Sequence, residues 1–485
     1  MLCVHEVQSD DELKGLQAEW SVLLSQTVRA TPFQSWEWVY PWWQKLRGGR
    51  LRVITVREEG RLLALLPLCE VGYAKLPIRR LVFMGAPGSD YNALLVVEGR
   101  ESEAWHAILR YLQDQRRSWD LLDVIFVRPG SVMLSPAHQD LLQTTMLCRR
   151  CPQAVLPSTW DDFSAELTRK MRSNISRGRK QLQRDFDAVI ETARPEQVEE
   201  TMAAFFRLHA MRWQSRGVEG SLSTPVMMAW QHEVAQGFAR QNWLRLHRIR
   251  IGNEIKAVLY TFRFGDETMF YNCGFDISLS RYSPGSVLLS HAIQTAILEG
   301  CRVIDFTRGD ETYKYDWNVK EEYSYRIMMG SGTVRSRLAM YLGHIHNQVE
   351  QLGSVLRNWL WGRHSIRVRL SAKLSSLRAR FVRRLPSGSA ADSSAKQANA
   401  PDKQKQVASQ QNPKRPRPDL EHRTAQSGHN DLGQRKQQQK QRGKASADTQ
   451  GQKDAQRNDP GKVLRTEDAT ADHEHNHQQT DAAKH

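Results

Sequence analysis

Residues Arg281 to Trp317 read RYSPGSVLLSHAIQTAILEGCRVIDFTRGDETYKYDW, a turn, a helix, a strand and a polar loop in immediate succession. Ser283 suits an N-cap, Pro284 the first helical position, and Gly285 a backbone that a ligand approaches closely. Val287, Leu288, Ala292, Ile293, Ala296 and Ile297 recur at helical spacing, Gly300 is a natural stop, and Val303 to Phe306 reads as a short buried strand. Free N–H groups at such a helix start favour an anion, including a pyrophosphate. The loop that follows, Arg308 to Trp317, gathers acids, bases, hydroxyls and aromatics, and loops on a rigid scaffold commonly carry chemistry.

Working outward, the chain repeats itself. Val53 to Val56, a turn at Glu58-Glu59-Gly60, and Leu62 to Val71 form a strand-turn-strand pattern that recurs as Leu246 to Ile251, Gly252-Asn253-Glu254, and Ile255 to Phe264. A helical stretch, Glu103 to Arg117, leads into Leu121 to Phe126 much as Gly285 to Gly300 leads into Arg302 to Phe306, with Asp123 and Asp305 in corresponding places. These echoes predict an α/β chain of two similar halves, each a mixed sheet flanked by helices. The join falls near Cys151 to Trp160, where Pro152 and Pro157 interrupt the pattern.

At Tyr282 to Gly285, Gly300, Asp305-Phe306, Arg308 to Glu311, Tyr313-Lys314 and Trp317 the chain resembles the CelD-like, or BioF-like, acetyltransferases of bacterial cellulose and exopolysaccharide gene clusters, within the GNAT superfamily. Leu208-His209, Arg212-Trp213, Arg216-Gly217, Phe33 to Trp38 and Trp42-Trp43 extend the resemblance over about residues 1 to 330. It implies tandem GNAT-like domains, residues 1–155 shaping the acceptor site and residues 156–330 transferring an acyl group from acetyl-CoA or another acyl-CoA. Laying Gly285 on the first glycine of the GNAT pyrophosphate signature Q/R-x-x-G-x-G/A puts Tyr282 at its first position and Val287 at its last. Fem-type aminoacyltransferases are more distant relatives, and their use of aminoacyl-tRNA is the alternative reading. A third is a non-catalytic accessory protein of exopolysaccharide biosynthesis at the membrane.

Acyl transfer needs a deprotonated nucleophile, held oxyanion and stabilised thiolate. Asp310 or Glu311 is a candidate base, Tyr313 a candidate acid for the leaving sulfur, and Lys314 or Arg308 a candidate holder of a phosphate or acceptor carboxylate; a salt-bridge network among Arg308, Asp310 and Lys314 stays open beside these roles. Tyr282, Ser283, Gly285, Ser286 and Arg308 are the candidate cofactor residues. Asp90 and Tyr91, in the polar and flexible loop Gly85 to Asn92, His209 and Arg212, which share a helix face with Arg216, and Trp317 are candidate acceptor ligands. The acceptor is a small molecule or saccharide, and nucleic acid is expected only as tRNA in the alternative reading. The basic run Arg169 to Lys180 is either an anion clamp or a solvated helix face. Trp36, Trp38, Trp42 and Trp43 are expected to pack a helix into the core.

The chain has 485 residues and a net charge of +16, unevenly spread. Residues 331–385 hold eleven Lys and Arg against one acid, Glu350. There Leu342, Ile345, Val349, Leu352, Leu356 and Trp359 form one helical stripe and Ile366, Leu370, Leu374, Leu377 and Phe381 another. Such basic amphipathic helices suit an anionic membrane surface, a partner, or packing on the catalytic body. Residues 386–485 contain no Phe, Trp or Tyr and are expected to be disordered, with His473, His475 and His477 a weak metal-binding candidate. No leader or spanning segment is evident, so a cytoplasmic protein, peripheral at most to the inner face of the membrane, is expected. Only Cys148 and Cys151 have ligand-like spacing; reduced thiols and no metal are expected.

Overall fold

The computed structural model describes residues 1–349 apart from 74–75, 87, 137–140, 216, 218–219 and 221. The expected tail 386–485, its histidines, the second basic stripe and Arg216 lie outside the described residues. The first half runs β1 (Leu2–Val7), α1 (Asp10–Gly15), α2 (Gln17–Gln26), α3 (Trp36–Leu46), β2 (Arg50–Leu51), β3 (Val53–Glu58), β4 (Arg61–Leu66), β5 (Leu68–Tyr73), β6 (Leu76–Phe83), β7 (Leu95–Val96), α4 (Glu101–Asp114), β8 (Leu121–Val127) and β9 (Leu142–Val155). The second runs α5 (Trp160–Glu166), α6 (Arg169–Phe186), β10 (Val189–Thr192), α7 (Val198–Gln214), α8 (Pro225–Arg240), β11 (Leu244–Ile251), β12 (Glu254–Phe264), β13 (Glu267–Phe275), α9 (Pro284–Leu298), β14 (Val303–Asp305) and β15 (Lys320–Gly330).

This is a mixed α/β fold with a repeated plan. β1, β3 and β4 pair antiparallel in that order, and α4 then leads into β8; β10, β11 and β12 do the same, and α9 leads into β14. Both expected hairpins form. Gly60 and Gly252 sit at φ +82 and +56 in their turns, the left-handed region where a side chain is disfavoured and glycine is not. β12 is buried from Ala257 to Phe262 because helices cover it, which is why its sequence is apolar on both faces.

The halves exchange their last strands. An eleven-stranded sheet runs β10-β11-β12-β13-β14-β9-β15-β8-β6-β5-β2, so β9 lies beside β14 and β15 runs beside β8. Pro152, read as an interruption, lies inside β9, where its carbonyl accepts from the Phe306 N–H at 2.9 Å. The two corresponding aspartates each meet an exchanged strand. Arg326 on β15 donates to both Asp123 oxygens at 2.7 and 2.8 Å, and Gln153 on β9 donates to Asp305 at 2.8 Å.

Candidate functional site

The parallel pair β13 and β14 keeps register at Glu267 with Val303, Thr268 with Ile304 and Met269 with Asp305. β13 then continues to Phe275 while the other chain turns away at Thr307, whose φ is +53. Between the parted chains opens a cleft of about 270 Å3, walled by Phe270, Cys273 and Phe275 on one side and Tyr313 and Trp317 on the other, with Ser283 to Ser286 also lining it. Val287 N–H bonds the Ser283 carbonyl at 3.1 Å, but Gly285 and Ser286, one residue into the helix, have no carbonyl a turn behind them to bond. Their amides and the helix dipole favour a negative group there. A Cβ at Gly285 would meet nothing within 4 Å, so the turn is open.

Of the expected cofactor residues, Tyr282 takes another role, and Ser283 lines the cleft without capping the helix. Ser283 is no side-chain cap: it ends the 3-10 turn Ile277–Tyr282 at φ 52, ψ 50 and begins α9 with no side-chain capping bond. Tyr282 is 2% exposed, and its hydroxyl donates to Asp185 at 3.0 Å; it anchors the turn to α6 and does not line the cleft. A Cβ at Gly178 of α6 would stand 2.4 Å from the Tyr282 carbonyl oxygen, so only a bare backbone lets α6 lie this close. Arg308 points across the halves, its Nε 2.5 Å from an Asp90 oxygen, with its guanidinium over the Phe126 ring.

The loop after β14 folds into a 3-10 turn, Thr312–Trp317. Lys314 is 2% exposed; its ammonium donates to the Arg308 carbonyl at 2.9 Å and pairs with Glu311 at 3.1 Å. It closes the loop instead of facing the cleft. Asp310 and Glu311 are exposed, and Tyr313, also exposed, lines the cleft.

The acceptor candidates divide. Asp90 and Tyr91 are buried, so the loop read as flexible is wedged into the second half. Trp230 would lie 2.3 Å from a Cβ on Gly88, and Tyr91 donates its hydroxyl to Asp305 at 2.8 Å. Burial pushes the Asp90 carboxyl up, against the pull of Arg308. His209 is 1% exposed, and its Nε2 accepts from the Trp213 indole at 2.9 Å. Burial, then Arg212, lowers its pKa to about 4, which favours the neutral ring, and its buried Nδ1 has no hydrogen-bond partner among the described residues. Arg212 and Trp317 line the parted-strand cleft, Arg212 stacked over Phe275 and donating to the Cys273 carbonyl at 3.0 Å. The four tryptophans of α3 are buried.

Sequence reasoning passed over a buried ionic centre that joins the two halves. Asp305 is fully buried; Tyr91 and Gln153 donate to one oxygen, and the Thr307 N–H donates to the other at 2.7 Å. Burial raises its pKa to about 6, opposed first by Arg128, whose guanidinium is 3.9 Å away and bonds both Glu267 oxygens at 3.1 and 3.2 Å. Arg128 and Tyr91 also line a second cavity of about 610 Å3 in the first half, next to the start of α4. Asp305 stood in the quoted motif, but nothing in sequence spacing ties it to Tyr91, 214 residues away. Among the described residues no group of three His, Cys, Asp or Glu side chains is placed to hold a metal, and the six cysteines are free thiols.

No curated protein sequence matches the chain. Among solved structures, FemX is 11% identical with a TM-score of 0.48, covering 70% of this chain and 99% of its own. A tandem GNAT protein from the clavulanic acid biosynthesis pathway is 11% identical with a TM-score of 0.36, covering 69% and 99%. Residues 169–315 match the acetyltransferase (GNAT) domain family. That span holds α6 through most of the loop after β14, and with it every residue named in the parted-strand cleft except Trp317: residues 169–315 have the GNAT acetyltransferase fold.

Proposed function

We propose that the protein transfers an acyl group from acyl-CoA to an amine or hydroxyl of a sugar, an amine, or a polysaccharide or cell-envelope precursor, as the CelD-like resemblance implies. The carrying observation is the parting of β13 and β14 below the open amides of Gly285 and Ser286, within the span that matches the GNAT domain. Those amides suit the pyrophosphate, and the apolar walls at Phe270, Phe275 and Trp317 suit the thioester arm. The nucleophile attacks the thioester carbonyl and gives its proton to Asp310 or Glu311, directly or through water. As the C–S bond breaks, Tyr313 protonates the departing thiolate. Asp90, Tyr91 and Arg308 hold the loop of the first half against the donor loop and so shape the acceptor side.

Calorimetric titration with acetyl-CoA and longer acyl-CoAs tests this. The unmodified protein is expected to bind in the micromolar range. Gly285→Glu, whose Cβ would meet nothing within 4 Å, brings a carboxylate to the anion site and should weaken binding by at least about a hundredfold while the melting temperature stays put. No affinity for any acyl-CoA would instead favour the aminoacyl-tRNA reading, to be tried next with charged tRNA.

A further inference from the structure

The last described helix, residues 334–349, is amphipathic in an unusual sense. The face turned to the body carries small and polar residues: Ser336, Ala339 and Asn347 are 0, 0 and 5% exposed, and a Cβ on Gly343 would lie 2.6 Å from the Met328 sulfur. Asn347 also donates to the Met146 sulfur at 3.5 Å. The opposite face carries Val334, Leu338, Tyr341, Ile345 and Val349, which are 86, 50, 66, 40 and 62% exposed. Their spacings of 4, 3, 4 and 4 place them on one side at 100° per residue, roughly 180° from the buried residues. Ile345 and Val349 were expected in an apolar stripe with Leu342; Leu342 packs on the body, whereas these two face water.

A contiguous apolar stripe left in water marks a surface meant to be covered. Charge identifies the cover. Arg335 and Arg337 stand in the first turn of the helix, and residues 350–385 add nine further Lys and Arg against the single acid Glu350. A protein partner would need a matched acidic face around an apolar strip. A bilayer of anionic lipid offers both components at once, apolar acyl chains below a layer of negative headgroups. We propose that this outer face docks on an anionic membrane surface, lying in the interface without spanning it. Among the described residues no helix is long and apolar enough to cross a membrane.

The test uses the full chain and flotation with vesicles of phosphatidylcholine alone or with 30% phosphatidylglycerol, at about 50 and 300 mM salt. Partition onto the anionic vesicles is expected, falling at high salt and on neutral vesicles. The double variant Leu338→Asp, Tyr341→Asp changes only solvent-facing side chains, so it should melt like the parent yet partition at least about tenfold less. A second, charge-neutral variant, Leu338→Ser with Tyr341→Ser, should show an intermediate loss. Binding that all variants retain, or absence of binding to anionic vesicles, overturns the proposal. So does concentration-dependent self-association in place of vesicle binding, abolished by the same substitutions, which would make a second copy the occupant.

Discussion

Arg128→Leu is expected to destabilise the fold by about 3–5 kcal/mol at pH 7.5, the range seen when one partner of a buried ion pair is removed and the other is left uncompensated. Arg128 is 8% exposed and faces two acids, Glu267 at 3.1 Å and Asp305 at 3.9 Å. The loss should depend on pH with a definite sign. The folded-state pKa of Asp305, about 6, lies above its ordinary 3.8, so the folded chain takes up this proton first as pH falls. The unmodified protein thus gains stability from this group as pH drops from about 6 toward 4. Without Arg128 the Asp305 pKa climbs further, proton uptake begins at higher pH, and the buried charge is extinguished sooner. The deficit against the parent should therefore be smaller at pH 5.5 than at pH 7.5 in urea unfolding. A deficit that is flat across that window would mean that Arg128 acts through packing on the Tyr91 ring, which it covers at 4.8 Å, and not through the acid.

Gly178→Ala should damage the turn that opens α9, and Gly285→Ala should not. Both exchange a helical glycine for the best helix former, a gain of up to about 1 kcal/mol on propensity alone. At Gly285 the new methyl enters open space. At Gly178 it would sit 2.4 Å from the Tyr282 carbonyl oxygen and 3.0 Å from a Val287 methyl, forcing α6 away from the turn that carries Ser283 to Ser286. Overpacking of this kind costs about 1–3 kcal/mol, and a displaced turn no longer presents its amides together. Thermal melts should show a fall for Gly178→Ala and little change for Gly285→Ala. Acyl-CoA titration should show at least a tenfold weakening only for the former. Equal behaviour of the two would remove the α6 contact from the account of the cleft.

Much of the site's frame was legible before any coordinates. Pro284, the apolar spacing through Ile297 and Gly300 define α9 because capping, periodicity and a left-handed stop are properties of neighbouring residues; Gly300 indeed sits at φ +78. What misled was reading each polar residue by its local neighbours. Lys314 could be read as a holder of a phosphate or carboxylate or as part of a salt-bridge network closing the loop, and the carbonyls of that same loop enclose it beside Glu311. Tyr282 looked like a ligand of a phosphate and Ser283 like a side-chain cap, yet a preceding 3-10 turn, which the sequence did not announce, sets the first as an anchor and makes the second a left-handed joint that still lines the cleft.

The sequence by itself determined the alternation of helix and strand, the two like halves, the hairpins at Gly60 and Gly252, and the start of α9 at Pro284. All of these rest on periods of two and 3.6 residues and on turn chemistry, which act over a few positions. Only the tertiary structure decided the exchange of β9 and β15, the meeting of Tyr91 with Asp305, and which face of residues 334–349 meets water. Strand order, buried charge pairing and helix docking depend on which surfaces find each other in space, across separations of up to some 200 residues, and no local pattern records that choice.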